Sequence, residues 1–243
     1  MKKIVFIAAL CFLAVTATNA QSKWKYQLGF GGTINSGNVN SVTINNDGSI
    51  SRNDSVVSFG GDYQIVYGQK DHVDYDRGLS ASLKMDLFQY DRWSPFISAS
   101  YLNNKFKGFE YKLSFLAGVK YLIYVKPNVC NYSVSAAFVY DYVDYGLLED
   151  DSPLHPQVAR ISLRFKAKQK ISDAVSINHT TYYQPSVTDF GGDFLFNTIT
   201  KLETQLSTHM FFDISFSYEY RSLVPEDIKH YDIVTSAALR LKF

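Results

Sequence analysis

Period-two alternation of apolar and polar residues runs through this chain almost from end to end, and it narrows the choice of fold more than any other feature. Trp24, Tyr26, Leu28, Phe30 and Ile34 alternate with Lys25, Gln27, Gly29, Gly31 and Thr33. Successive side chains of an extended strand point to opposite sides, so each such run has one apolar and one polar face. The pattern recurs over residues 57–67, 79–87, 93–101, 111–123, 132–142, 159–167, 212–220 and 231–243. Shorter runs begin at Val175 and Phe194, and a weaker one from Val42 to Ile50 fits between the first and the next. The expectation is all-β: a transmembrane, antiparallel, up-and-down β-barrel of about twelve strands, an even number as single-chain bacterial barrels require.

Connection lengths alternate as well. Short ones fall at residues 51–54, 90–92, 125–128, 170–173 and 207–210, and longer ones at 68–77, 103–110, 145–157, 185–193 and 225–230. Membrane barrels have short periplasmic turns and longer outer loops, which predicts both termini on the short-turn side. The connection at Ser36-Gly37-Asn38 breaks the trend by being short.

The N-terminus points to export. Lys2 and Lys3 form a basic region, residues 4–15 are apolar but too few to span a bilayer, and Thr18-Asn19-Ala20 offers small residues for cleavage. A signal peptide is expected over residues 1–20 and a barrel domain over 21–243, placed in the outer membrane of a Gram-negative bacterium. Loss of Lys2 and Lys3 turns the formal charge of +1 into −1. A nucleic-acid binder usually carries a clustered basic excess, so no nucleic-acid partner is expected. Beyond Cys11 in the leader only Cys130 remains, which cannot form an internal disulfide.

A soluble barrel alternates too, with its apolar face inward. Here the apolar face carries no Lys, Arg, Asp or Glu along the strand bodies, and charged residues make up 19% of the chain, against roughly 25% in soluble proteins. Aromatic residues gather at strand ends: Trp24 and Trp93 at one, Tyr67, Tyr101, Tyr111, Tyr183, Tyr220 and Tyr231 toward the other. Amphipathic rings suit a membrane interface. The last strand ends in Phe243, the usual mark of a substrate for the outer-membrane insertion machinery. The expected partners are therefore outer-membrane lipids and lipopolysaccharide, that machinery, and small solutes.

Some short motifs point to a family. Ser36-Gly37-Asn38 follows a Gly-rich first strand, Asp91-Arg92-Trp93 opens a later one, and Phe106-Lys107-Gly108 leads to Tyr111-Lys112 and Gly118. Together these resemble the YdiY-type salt-induced outer membrane protein family, a domain of unknown function. The resemblance implies an outer-membrane barrel and no established activity or catalytic residues.

The polar faces carry the candidate site. Arg160, Arg164, Lys166 and Lys168 share one face of a strand, opposite Ile161, Leu163 and Phe165, and in a barrel that face lines the lumen. Lys25, Lys84, Lys112, Lys120, Lys201, Arg221, Arg240 and Lys242 also point inward, outnumbering Asp62, Asp86, Asp141, Glu203, Asp213, Glu219 and Asp232. Such charges either pair and fill the bore or leave an eyelet of cations that favours anions. Asp141 lies at the opposite strand end from Lys166 and Lys168, so that lower pair is expected to face water.

Enzyme chemistry has two candidates: the Asp and Asp-His sets of the outer loops, which resemble in type only those of outer-membrane aspartyl-type proteases, and, sharper, His179-Thr180-Thr181. His179 and Thr181 share the lipid-facing side of Val175 and Ile177, a spacing that sets a base beside a hydroxyl. No acid or amide to orient the imidazole is evident on that face, because Glu203 and Glu219 fall on the other one. No catalytic residue is assigned and no enzyme is expected. Asp71-His72, Asp74 and Asp76, then Glu149-Asp150-Asp151 with His155, then Glu226-Asp227 with His230, make acidic outer loops of the kind that bind hard cations weakly. Solvated loops carry such residues ordinarily, and neither a metal site nor a cofactor is assigned. The function expected is a small passive channel for polar or anionic solutes. The alternatives are a plugged structural or interaction barrel and an outer-leaflet lipid-modifying enzyme.

Overall fold

The computed structural model describes residues 24–36, 41–70, 73–104, 109–144, 157–224 and 229–243. The expected signal peptide, Phe106-Lys107-Gly108, Asp71-His72, Glu149-Asp150-Asp151, His155 and Glu226-Asp227 lie outside them, as do the side chains of Asp74 and Asp76.

Twelve strands follow one another: β1 Trp24–Ser36, β2 Ser41–Asn53, β3 Val57–Lys70, β4 Val73–Leu87, β5 Trp93–Asn104, β6 Phe109–Lys126, β7 Cys130–Asp144, β8 Gln157–Lys170, β9 Val175–Pro185, β10 Phe194–Gln205, β11 Met210–Arg221 and β12 Tyr231–Lys242. Each pairs antiparallel with its neighbours in sequence, and β12 returns to β1 to close the barrel. At the seam Tyr26 and Phe243 exchange backbone bonds of 3.0 Å in both directions. Closure leaves no sheet edge, so the backbone needs no solvent partner along the wall.

The faces are those of a membrane barrel rather than a soluble one. Phe30, Ile44, Leu83, Ile97, Phe115, Phe138, Leu163 and Phe216 point outward and are exposed. Buried residues are largely polar and point inward, among them Thr33, Thr43, Asn45, Ser114, Asp141 and Asp213. In β7, Ser133, Ser135, Ala137, Val139, Asp141 and Val143 are buried, and the residues between Ser133 and Asp141 are exposed. An apolar exterior around a polar interior is stable where the surroundings are hydrocarbon.

Strand ends differ from the sequence reading on the long-connection side. Residues 68–77 read as a loop, yet β3 runs to Lys70 and β4 starts at Val73. A register shift between Gly68 and Gln69 absorbs the irregularity that hides the alternation. Similarly β5 reaches Asn104 and β6 begins at Phe109, with a shift between Leu102 and Asn104. On the other side the turns stay tight. After Lys126, Asn128 takes a positive φ of 59°, a conformation asparagine tolerates, and Val129 N–H donates to Lys126 O at 3.0 Å.

Candidate functional site: the charged bore

The inward charges divide the bore into two unlike walls. Along β10, β11, β12 and β2 they are neutralised. Arg240 Nη1 lies 2.8 Å from Asp47 Oδ2, and its Nε donates to Asp213 Oδ2 at 2.7 Å. Asp213 also takes Lys201 at 2.6 Å, and Lys242 meets Glu203 at 2.6 Å. Asp47 is the residue that sequence reasoning missed, since it sits in the weakly alternating β2. It reaches Arg240 across β1 because Gly29 pairs with both and has no side chain between them. A Cβ at Gly29 would stand 2.5 Å from Asp47 Oδ1.

The wall built by β4 to β8 is different. Its upper part is paired: Lys112 binds Asp141 at 2.8 Å. Arg160 also leaves the expected ladder, for its Nη2 donates to both carboxylate oxygens of Asp193 at 2.9 Å and the residue is buried. Asp193 precedes β10 in a stretch read as an outer loop, so this partner was not visible as an inward acid. Below these pairs the cations lose their counterparts. Among the described residues Arg164 meets ring faces only, 5.4 Å from the Phe96 centroid and 6.0 Å from that of Tyr182. Lys120 donates to the Gln89 carbonyl at 3.3 Å. Lys166 and Lys168 are exposed within the lumen and make no ion pair with any described residue. The described acids beside this group are engaged by other bases: Asp86 by Lys84 at 2.8 Å, and, in the turn-end cavity that Lys168 lines, Asp173 by Lys170 at 2.7 Å and Glu203 by Lys242 at 2.6 Å.

Rings band the two ends of the wall. At the turn end Trp93 packs on Tyr121 (4.6 Å between centroids), Tyr124 on Tyr132, and Phe243 on His209 (5.6 Å), while Arg52 lies over Trp24. At the other end Tyr101, Tyr111 and Tyr142 stack in series, Tyr183, Phe194 and Tyr220 form a second set, and Tyr218 stacks on Tyr231. His230 is tied by a 2.8 Å bond from its Nδ1–H to Arg221 O.

His179 and Thr181 do lie on the outward face, and the structure supplies partners that the sequence did not disclose. His179 Nδ1 is 2.9 Å from Thr200 Oγ1, and Nε2 is 2.9 Å from Thr181 Oγ1. Thr181 in turn meets Thr198 at 3.2 Å. The four side chains saturate one another across β9 and β10, with Glu203 held on the inner face by Lys242.

Residues 28–243 match the family described as "Protein of unknown function, DUF481". No curated protein matches the chain in sequence. Among solved structures, the NanC porin superposes with a TM-score of 0.59 at 10% identity, covering 89% of this chain and 100% of that one. The KdgM porin in complex with disordered oligogalacturonate gives 0.54 at 7% identity, covering 89% and 99%. The translocator domain of the autotransporter NalP from Neisseria meningitidis gives 0.55 at 11% identity, covering 100% and 96%. At these identities the likeness is one of fold.

Proposed function

This chain belongs to the DUF481 family of proteins of unknown function, and from that premise we propose that it works as a small passive channel of the outer membrane with a preference for anionic solutes. The carrying observation is the exposed pair Lys166 and Lys168 within the lumen, below Arg164, neither of which makes an ion pair with a described residue. Charged side chains that filled a dry bore would have to pair, because burying them alone is costly. Cations left in contact with water instead attract anions, as basic rings do in other pores. A barrel of this fold also accommodates a polyanion in the KdgM porin, described with oligogalacturonate.

The surroundings follow from the same reading. The apolar exterior meets outer-membrane lipid and lipopolysaccharide, and the two aromatic bands, with Trp24 and Trp93 at one end and Tyr101 and Tyr231 at the other, sit at its interfaces. The turn end faces the periplasm. The strand ending in Phe243 is the segment offered to the insertion machinery before closure. Residues 1–20 direct export. His179 serves packing rather than lipid turnover, since its network contains no carboxylate or amide.

Reversal potential across a salt gradient tests the channel. Anion preference is expected in the wild type and should weaken in Arg164→Gln/Lys166→Gln. Cation preference in both would reject the anion preference, and no conductance from verified folded protein would leave the plugged barrel, for which the paired wall around Arg240 speaks.

A further inference from the structure

We propose that the β4–β8 wall holds a saturable binding site for a multivalent oxyanion of the phosphate class, seated among Arg164, Lys166, Lys120 and Lys84. This deepens the channel reading, since it rests on the same water-filled bore, but it asserts occupancy rather than passage. Strand register brings the cations together. Lys120 pairs with Ser135, and Ser135 pairs with Arg164, so the two bases flank one small side chain in a single cross-strand row. Lys166 follows beside Ser133, another small buried residue. From the other direction the Lys84 ammonium stands 5.2 Å from the Phe96 centroid, over the ring that Arg164 also covers at 5.4 Å. On its own strand Lys166 stands between Arg164 and Lys168, each two residues away on the same face.

Lys84 has its counter-charge in Asp86 at 2.8 Å. Arg164, Lys120 and Lys166 make no ion pair with a described residue, and three like charges cannot be crowded at the rim of a low-dielectric wall without a counter-charge. The other neighbouring acids do not supply it: Asp141 is taken by Lys112, Asp193 by Arg160, and Asp213 and Glu203 by the opposite wall. The counter-charge must come from solution. Coulomb attraction scales with ligand charge, which favours a divalent oxyanion over chloride. Arg164 adds shape: stacked on Phe96 and Tyr182, its planar guanidinium is pre-set and keeps N–H edges free for a two-oxygen contact with a tetrahedral anion.

Calorimetric titration of the refolded protein with inorganic phosphate at low ionic strength tests the site. Saturable binding of one phosphate per barrel is expected, weakened by at least about tenfold in Arg164→Gln/Lys166→Gln through loss of charge-assisted bonds. It should be unchanged in Lys229→Gln, at the far end of the barrel. No saturable binding by folded wild type, or equal affinity in the double variant, overturns the proposal. Conductance of the same samples separates the two readings. Phosphate binding without current keeps the site and rejects the channel, and anion-selective current without saturation does the reverse.

Discussion

The Tyr63 hydroxyl donates to Asn46 Oδ1 at 3.1 Å on the outward face of the wall, while Asn46 Nδ2 donates to Gly29 O at 3.0 Å. An amide facing hydrocarbon without partners would cost several kcal/mol. Here the aromatic ring brings the partner with it. Tyr63 pairs with Gly48, and a Cβ at that glycine would collide with the ring. The two residues that spoil the alternation of β2 are thus one device: a polar group and the gap that admits its cover.

Removing the hydroxyl should expose the defect. Tyr63→Phe is expected to lower stability by about 1–3 kcal/mol, the cost of leaving a buried polar group unsatisfied. Tyr63→Phe/Asn46→Leu should recover most of it. Urea midpoints for refolding into lipid vesicles measure both, and a neutral single variant would place Asn46 in water instead.

The barrel was legible because period two survives wherever one face meets lipid and the other meets water. Register was harder to read where that rule is locally satisfied by pairs. Asn46 and Gly48 look wrong one at a time and make sense only with Tyr63 beside them. The site was half legible for a related reason. Inward direction can be read from alternation, which puts Arg164, Lys166 and Lys168 on the polar face of β8. Pairing depends on strands far apart in sequence, such as Arg160 with Asp193 or Asp47 with Arg240, and no local pattern announces those.

The faces themselves can be tested by charge insertion. Leu163→Arg and Phe216→Arg, both on the exposed apolar exterior, should each cost about 2–4 kcal/mol and reduce assembly. Gln64→Arg should be milder: Gln64 lines a 300 Å³ cavity of the bore beside Asp62, whose carboxylate accepts from Ser82 at 2.6 Å. Ser162 is a poor inward control, because it is buried and accepts from Gln184 Nε2 at 2.9 Å. Equal losses at all three sites would contradict the assignment of faces.

His179 is predicted to be dispensable for chemistry. Both ring nitrogens are spent on threonine hydroxyls, and no ionised side chain among the described residues bonds to the imidazole. His179→Ala should fold, lose about 1 kcal/mol for its two bonds, and give the same phospholipid profile as the wild type. An acyl hydrolase activity present in wild type and absent in this variant would replace the channel reading by an enzyme.

Arg240 should be the costliest lumen charge to remove. Its side chain is 15% exposed and Asp213 only 5%, so the pair sits largely out of water. It joins β12 to β2 across β1 and to β11, on both sides of the seam where the chain closes. Taking the cation away strands Asp47 and leaves Asp213 with Lys201 alone. Breaking one side of a buried pair typically costs about 3–5 kcal/mol, because the remaining charge is left without compensation. Arg240→Met is therefore expected near the lower end of that range, as water in the bore screens part of the loss. Gly29→Val should act at the same point without touching a charge, since its side chain would occupy the space through which Asp47 reaches Arg240. Arg240→Met/Asp47→Asn should recover part of the stability. The readout is the temperature at which the unheated, fast-migrating band on a denaturing gel converts to the unfolded one. A midpoint for Arg240→Met equal to the wild type would mean that the seam is held by backbone pairing alone and that these charges are fully hydrated.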